Sequence, residues 1–292
     1  MALLFIIFLS LAPFAIFLMI ITVMGKFLTR KSRIPFEYAN MARIPAFSLL
    51  QQHREYTLDI LAWALLATIY FQLPFSIPTI ASLTGVEDSI GEWWTYSILL
   101  IFMAIYSLIR ATRAFSKLRN TRLGIEAEWA VSQALATIVD KDVRIFHDIQ
   151  GPNFNIDHVL TYPGGVLAIE TKGRRKPNIR HSKDTHKLFV DSQKLVFPHF
   201  TDMDTIEQAS RQANWLSKEL TQSTGSDIKA NPVVVIPGWF IEYKQKPTVP
   251  VMSHKTLAKY YKFSKSFVHD DSSLSRINYQ LEQLAMRGSD EL

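Results

Sequence analysis

Residues 2–24 carry no charge, and this run constrains the chain more than anything else in it. An apolar helix needs roughly 18 to 20 residues to cross the hydrocarbon of a bilayer, and the run exceeds that. A cleaved signal peptide would want a basic start, a shorter apolar core and a small-residue cleavage site, none of which the run shows. A second apolar run covers residues 60–83 and is interrupted by Pro74 and Pro78. A third covers residues 93–109 and opens with Trp93 and Trp94, a pairing expected at a membrane interface. Asp59 stands only at the edge of a run, so the region reads as an anchor and not as an ion pathway.

Basic residues are retained on the cytoplasmic side during insertion, so their placement gives orientation. Lys26, Arg30, Lys31, Arg33, Arg43 and Arg54 fill the first loop, and Arg110, Arg113, Lys117, Arg119 and Arg122 follow the third run. The short loop between the second and third runs has Glu87, Asp88 and Glu92 and no basic residue. The expectation is three spans with an outside N-terminus and everything after Arg110 in the cytoplasm, as in a bacterial inner membrane. Residues 111–122 read as a basic juxtamembrane helix attracted to anionic lipid headgroups.

The mean hydropathy of +0.07 averages two unlike regions, because residues 123–292 read as a charged globular domain. Basic and acidic residues cancel before Arg110, so the net charge of +6 belongs to the rest of the chain. The absence of cysteine excludes disulfides, thiolate zinc sites, a cysteine nucleophile and Cys-linked lipid anchors. From Leu123, Ala127, Val131, Ala134, Leu135 and Ile138 form one helical stripe. Strands are expected at 143–149, 156–162 and 166–171, the last two joined at Pro163, Gly164 and Gly165, with another at 187–190. A helix capped by Thr201 or Asp202 runs to about Thr221, a buried strand covers 232–236, and two short helices follow Lys255.

A hairpin centred on the Pro-Gly-Gly corner fixes which side chains share a face, since strand side chains alternate. The expected pairing sets Asp157 opposite Lys172 and diagonal to Glu170, all on one face. Two carboxylates and an ammonium gathered there need pairing or a metal. Mg²⁺ typically takes one or two protein carboxylates and completes its shell with water and phosphate oxygens, which suits Asp157 and Glu170 as ligands. Lys172 would then hold the attacking water or the scissile phosphate. Spacing alone leaves a solvated strand pair open as the alternative.

The stretch NIDHVLTYPGGVLAIETKG resembles the core signature of the nuclease-related domain, NERD, a branch of the PD-(D/E)XK nuclease superfamily. The I-D-H element is Ile156, Asp157 and His158, and the E-x-K element is Glu170, Thr171 and Lys172. The upstream G-x-x-G-E helix reads GIEAE, ending at Glu128, with Ala127 in place of the second glycine. The later helix, IEQASRQANWL, supplies Gln208, and Pro237, Gly238, Trp239 and Phe240 resemble a further downstream segment. The resemblance implies an α/β restriction-endonuclease-like αβββαβ domain behind an α-helical membrane anchor. It also implies a catalytic set of Asp157, Glu170, Lys172, Glu128 and Gln208, with Asp157 and Glu170 as ligands of Mg²⁺, Mn²⁺ being possible. By helical position Glu128 shares a face with Val131 and Leu135, and Glu126 does not. A helix-start acid is the alternative for Glu128, and a solvated helix face the alternative for Gln208, Arg211, Gln212 and Trp215.

After the E-x-K strand come Lys172, Arg174, Arg175, Lys176, Arg180, Lys183 and Lys187, with only Asp184 opposing. Arg174, Arg175, Lys176 and Arg180 fit a phosphate track, whose affinity would be salt-dependent; a solvated loop or a lipid-facing patch is the alternative. His181 and His186 lack the flanking ligands a zinc site needs. The sequence therefore points to a membrane-anchored, metal-dependent nuclease acting on nucleic acid, DNA ahead of RNA, at the cytoplasmic face. The alternative is a catalytically inactive nucleic-acid- or protein-binding module tethered to the lipid bilayer.

Overall fold

The structure, a computed structural model, describes residues 41–85, 93–178, 185–260 and 271–286, with scattered positions between 12 and 23. The first apolar run therefore lies mostly outside the described residues. The chain divides into two compact units, one holding Met1–Glu37 with His53–Arg119 and the other Tyr38–Gln52 with Asn120–Leu292. The boundary read from composition had assigned everything before residue 111 to the anchor. The short segment before Gln52 instead belongs with the second unit, for a reason given by its side chains below.

The first unit is helical. Helix α1 spans Phe47–Thr84 and helix α2 spans Trp93–Ala136, and both are long and apolar enough to cross a membrane. Pro74 and Pro78 lie inside α1. Pro78 has no N–H to give the carbonyl one turn back, and that carbonyl, of Pro74, accepts the Trp93 indole N–H at 3.3 Å instead. Trp93 packs with Leu73, Ile77 and Ala81. Several hydroxyls in this region are satisfied inside their own helices: Thr68 donates to the Ala64 carbonyl, Ser97 to that of Trp93 and Ser107 to that of Met103. Large apolar side chains such as Phe71, Phe75, Phe102 and Leu108 face outward.

The second unit is a mixed α/β sheet domain. After α2 come β1 (Arg144–Gln150), β2 (Asn155–Tyr162) and β3 (Gly165–Thr171). The short strands β4 (Lys187–Asp191), β5 (Lys194–Val196) and β6 (Thr201–Asp202) follow. Helix α3 (Thr205–Thr224), β7 (Ala230–Val235), β8 (Phe240–Tyr243), β9 (Val251–Met252), α4 (His254–Tyr260) and α5 (Asp271–Ala285) complete it. One sheet has the order β1-β2-β3-β7-β9, the other β6-β5-β4-β8. The expected αβββαβ order is present, with β4, β5 and β6 inserted before α3.

Alternation within the first sheet sends Leu160, Tyr162, Leu167 and Ile169 to a cluster with Val131 and Leu135 of α2. Val159, Val166 and Ala168 go to the opposite cluster, with Ala213 and Leu216 of α3 and Ile277 of α5. The sheet is thus covered on both faces, and β3, parallel to β7, is buried along its whole length.

The β2–β3 register differs from the expectation. Tyr162 pairs with Gly165 and His158 with Ile169, so Asp157 comes opposite Glu170, not Lys172. The turn residues are Pro163 and Gly164, while Gly165, at φ 139°, already belongs to the strand. The pairing moves by two residues, and a two-residue move keeps every side chain on its face.

Candidate functional site

The site forms where β3 leaves the sheet, between the start of β2 and the first turns of α3. Asp157, from β2, accepts the Thr171 backbone N–H at 2.6 Å. Glu170 is 2% exposed, and its Oε1 accepts the Lys172 ammonium at 2.6 Å and the Gln208 amide at 2.9 Å. Gln208 closes the triangle by accepting a second Lys172 hydrogen bond on its own Oε1, at 3.1 Å. The Lys172 backbone N–H donates to the Val235 carbonyl, fixing the end of β3 against β7. Gln212, one turn after Gln208, is buried and donates to the Asn155 carbonyl, tying α3 to the start of β2.

Glu128 reaches this place from α2 and is 6% exposed, while Glu126 points outward to Arg122. Burial pushes the Glu128 carboxyl up to about 8, with Asp148 adding to the rise and the Ala46 N–H opposing it. Asp157 is held well above the usual carboxylate range by burial and then by the charges of Glu170 and Glu128. Gly173 makes the close approach possible: a side chain there would meet the Leu123 carbonyl at 2.8 Å and Ala127 Cβ at 3.1 Å. Ala127 can therefore stand where a glycine was expected, because the strand side of the contact is bare.

Several residues of the site were not foreseen. β1 pairs with β2 on either side of Asp148, His147 with His158 and Ile149 with Ile156, which sets Asp148 across from Asp157. Like charges directly opposite are unfavourable, and Asp148 adopts the left-handed region at φ 52°. Its carboxylate accepts Ser48 at 2.7 Å and Asn155 at 3.1 Å and lies 3.8 Å from the Arg43 guanidinium, which also donates to the Asp148 carbonyl. Arg43, Ala46 and Ser48 all come from the segment before Gln52. Leu49 of the same segment lies against Gly124, and the Arg43 N–H donates to the Ala285 carbonyl. These contacts explain why the segment groups with the sheet domain. Behind the site, His147 and His158 share a hydrogen bond between their Nδ1 atoms at 2.8 Å, and burial lowers both, His147 to about 4.

The basic run is less free than its sequence suggests. Arg174 pairs with Asp202 at 2.6 Å and Lys187 with Glu242 at 3.0 Å, carboxylates that lie far along the chain. Asp202 also accepts the Thr205 N–H, so it caps the approach to α3 while holding Arg174. Lys176 is exposed, with its ammonium 5.7 Å from the centre of the Trp239 ring. Arg175 is exposed as well, and Arg180 and His181 lie outside the described residues.

Residues 123–237 match the family model of the nuclease-related domain. The chain carries a NERD domain. No curated protein and no solved structure matches the chain. The NERD segment contains Glu128, Asp148, Asp157, Glu170, Lys172 and Gln208, whereas Arg43, Ala46 and Ser48 precede it.

The NERD site offers oxygen donors suited to a hard divalent cation. The Oε2 atoms of Glu170 and Glu128 are buried without a hydrogen-bond partner among the described residues, and such atoms call for a proton or a cation. No set of three or more His, Asp or Glu among the described residues could hold an ion by itself. Asp157 and Glu170 could hold one with water and substrate oxygens completing its shell.

Proposed function

We propose that this chain is a membrane-anchored, metal-dependent nuclease hydrolysing phosphodiester bonds of nucleic acid, DNA ahead of RNA, on a restriction-endonuclease-like core. The observation that carries the reading is the joining of Asp157, Glu170, Lys172 and Gln208 at one strand end within a nuclease-related domain. Mg²⁺, or Mn²⁺ in its place, when bound by Asp157 and Glu170 would supply Lewis-acid polarisation of the phosphoryl group and a water acidified enough to attack.

The protein's own part follows from its contacts. The Thr171 N–H orients Asp157, and Gln208 holds both Glu170 and the Lys172 ammonium, so neither can swing away. Lys172 is the cation available to meet charge developing on the phosphoryl oxygens, a role worth roughly 10² to 10³ in rate per donor elsewhere. Glu128, titrating at about 8, holds a proton near neutrality beside this cluster. Arg174, Arg175, Lys176 and Arg180 are the proposed phosphate contacts. The apolar runs would form three spans with an outside N-terminus, placing the domain in the cytoplasm; reporter fusions after Asp88 and after Arg122 should then report opposite sides.

The deciding experiment is hydrolysis of labelled DNA and RNA by the full chain in detergent, with Mg²⁺, Mn²⁺ or EDTA. The full chain is required because Arg43, Ala46 and Ser48 belong to the site's surroundings. Cleavage should need the metal and should be lost in Asp157→Ala and Glu170→Ala with melting in EDTA preserved. Activity retained in both variants would refute the site. Metal-independent binding with no cleavage of any substrate would replace the enzyme by a binding module.

A further inference from the structure

Trp239 and Phe240 sit at a junction the proposed chemistry does not use. Val235 accepts the Lys172 N–H, and three residues separate it from Trp239, so the two lie at most about 14 Å apart along extended chain. Trp239 is buried with Phe197, Val234 and Ile236, and its indole N–H donates to the Arg174 carbonyl at 3.1 Å. This anchors β8 to the basic loop that leaves β3. On β8, an edge strand, Phe240 is 57% exposed and Tyr243 52% exposed. Both line a groove of about 500 Å³ that is also walled by Trp239, Met252, Lys259 and Tyr260.

The surroundings of this groove are cationic. Lys176 approaches the Trp239 ring, Lys259 lines the wall, and Lys244 and Lys246 lie exposed just beyond Tyr243. The nearby carboxylate on β8, Glu242, is already paired with Lys187. Aromatic faces rimmed by ammonium groups match a polymer that alternates flat apolar rings with phosphates. Only unpaired bases can leave their stack to lie on such faces, because a duplex hides them.

We propose that this groove binds single-stranded nucleic acid, with bases stacked on Phe240 and Tyr243 and phosphates met by Lys176 and Lys259. The inference rests on the nuclease reading and narrows its substrate to strands with an unpaired segment next to the cleavage site.

The test is anisotropy of a labelled single-stranded oligonucleotide and of its duplex with the full chain in EDTA, where binding is read without hydrolysis. Stacking on one side chain is worth about 1 to 3 kcal/mol by alanine substitution, so Phe240→Ala should weaken single-strand binding about 5- to 150-fold. Tyr243→Ala should act in the same direction and Phe240→Trp should retain affinity. Duplex affinity and the salt slope should hardly move, since no phosphate contact is lost. Unchanged single-strand affinity, or an equal loss on the duplex, overturns the proposal. A fall in melting temperature in Phe240→Ala large enough to account for the loss would instead assign Phe240 to packing, as against His186, and also overturns it. If the unaltered chain bound neither form, the nucleic-acid reading itself would fail, which is a different result from binding that ignores Phe240 and Tyr243.

Discussion

Replacing Glu128 by glutamine tests the electrostatics of the site without any substrate. The Glu128 proton is held to about 8 in the folded chain against an ordinary 4.5. Between those values the folded state binds more protons than the unfolded one, so this group lowers stability as pH rises through the window and adds nothing further above it. At 1.36 kcal/mol per pH unit the ceiling is about 5 kcal/mol at pH 8. Glutamine removes that penalty and can still accept the Ala46 N–H, but its amide group takes the place of an Oε2 that has no partner, at a cost of about 1 to 3 kcal/mol. Glu128→Gln should therefore be no more stable than the unaltered chain at pH 5. By pH 8 it should be more stable by about 3 kcal/mol, or roughly 6 to 12 °C for a domain of this size. Thermal melting of the full chain in detergent with EDTA, at half-unit steps from pH 5 to 8, reads the difference directly. His147 and His158 titrate in both proteins and cancel. Parallel curves across the window would refute a buried, proton-holding Glu128.

Other perturbations report on other parts. Arg43→Ala leaves Asp148 buried without its counter-charge and should cost about 3 to 5 kcal/mol in denaturant melts, a loss below 1 kcal/mol counting against a structural role for the segment before Gln52. Gly173→Ala drives a methyl onto the Leu123 carbonyl and should destabilise by about 1 to 3 kcal/mol; a neutral result would mean that α2 and the β3 exit can part freely. Lys176→Ala should flatten the salt dependence of binding by about 0.9 in slope on duplex and about 0.7 on single strands; Arg174→Ala should flatten it likewise and, because it strips Asp202 of its partner, also lower stability.

The shared face of Asp157, Glu170 and Lys172 was legible because its members lie in a few short strands and turns, where alternation alone decides which side chains meet. Asp157, Glu170 and Lys172 needed only a hairpin of the correct parity, so misplacing the turn by one residue left their shared face intact. The register itself was not legible, because Pro163, Gly164 and Gly165 offer more than one turn and only Gly165's positive φ inside the strand selects among them. Arg43 and Ser48 read as ordinary residues of a basic loop, and nothing local relates them to Asp148, 100 or more positions away. Asp202 and Glu242 escaped for the same reason, and the basic loop looked unopposed without them. Strands β6 and β9, of two residues each, are too short to carry an alternating pattern.

The cluster's charge balance leads to one further expectation, which separates metal binding from catalysis. Glu128, Asp148, Asp157 and Glu170 are gathered around a strand end where Lys172 and Arg43 are the compensating cations. Without a further positive charge, Glu128 and Asp157 keep protons that bulk solvent would remove. A divalent ion on Asp157 and Glu170 should displace such protons, so its affinity should rise with pH. Ligand binding to the folded state alone stabilises by about 2.7 kcal/mol at a hundredfold excess over Kd. Mg²⁺ or Mn²⁺ at saturation should thus raise the melting temperature by several degrees, more at pH 8 than at pH 6, and release protons into weakly buffered solution. Asp157→Asn should abolish both effects while remaining folded. An equal melting shift in Asp157→Asn would place the ion elsewhere, and no shift in the unaltered chain at either pH would leave the carboxylates without the partner that their burial calls for.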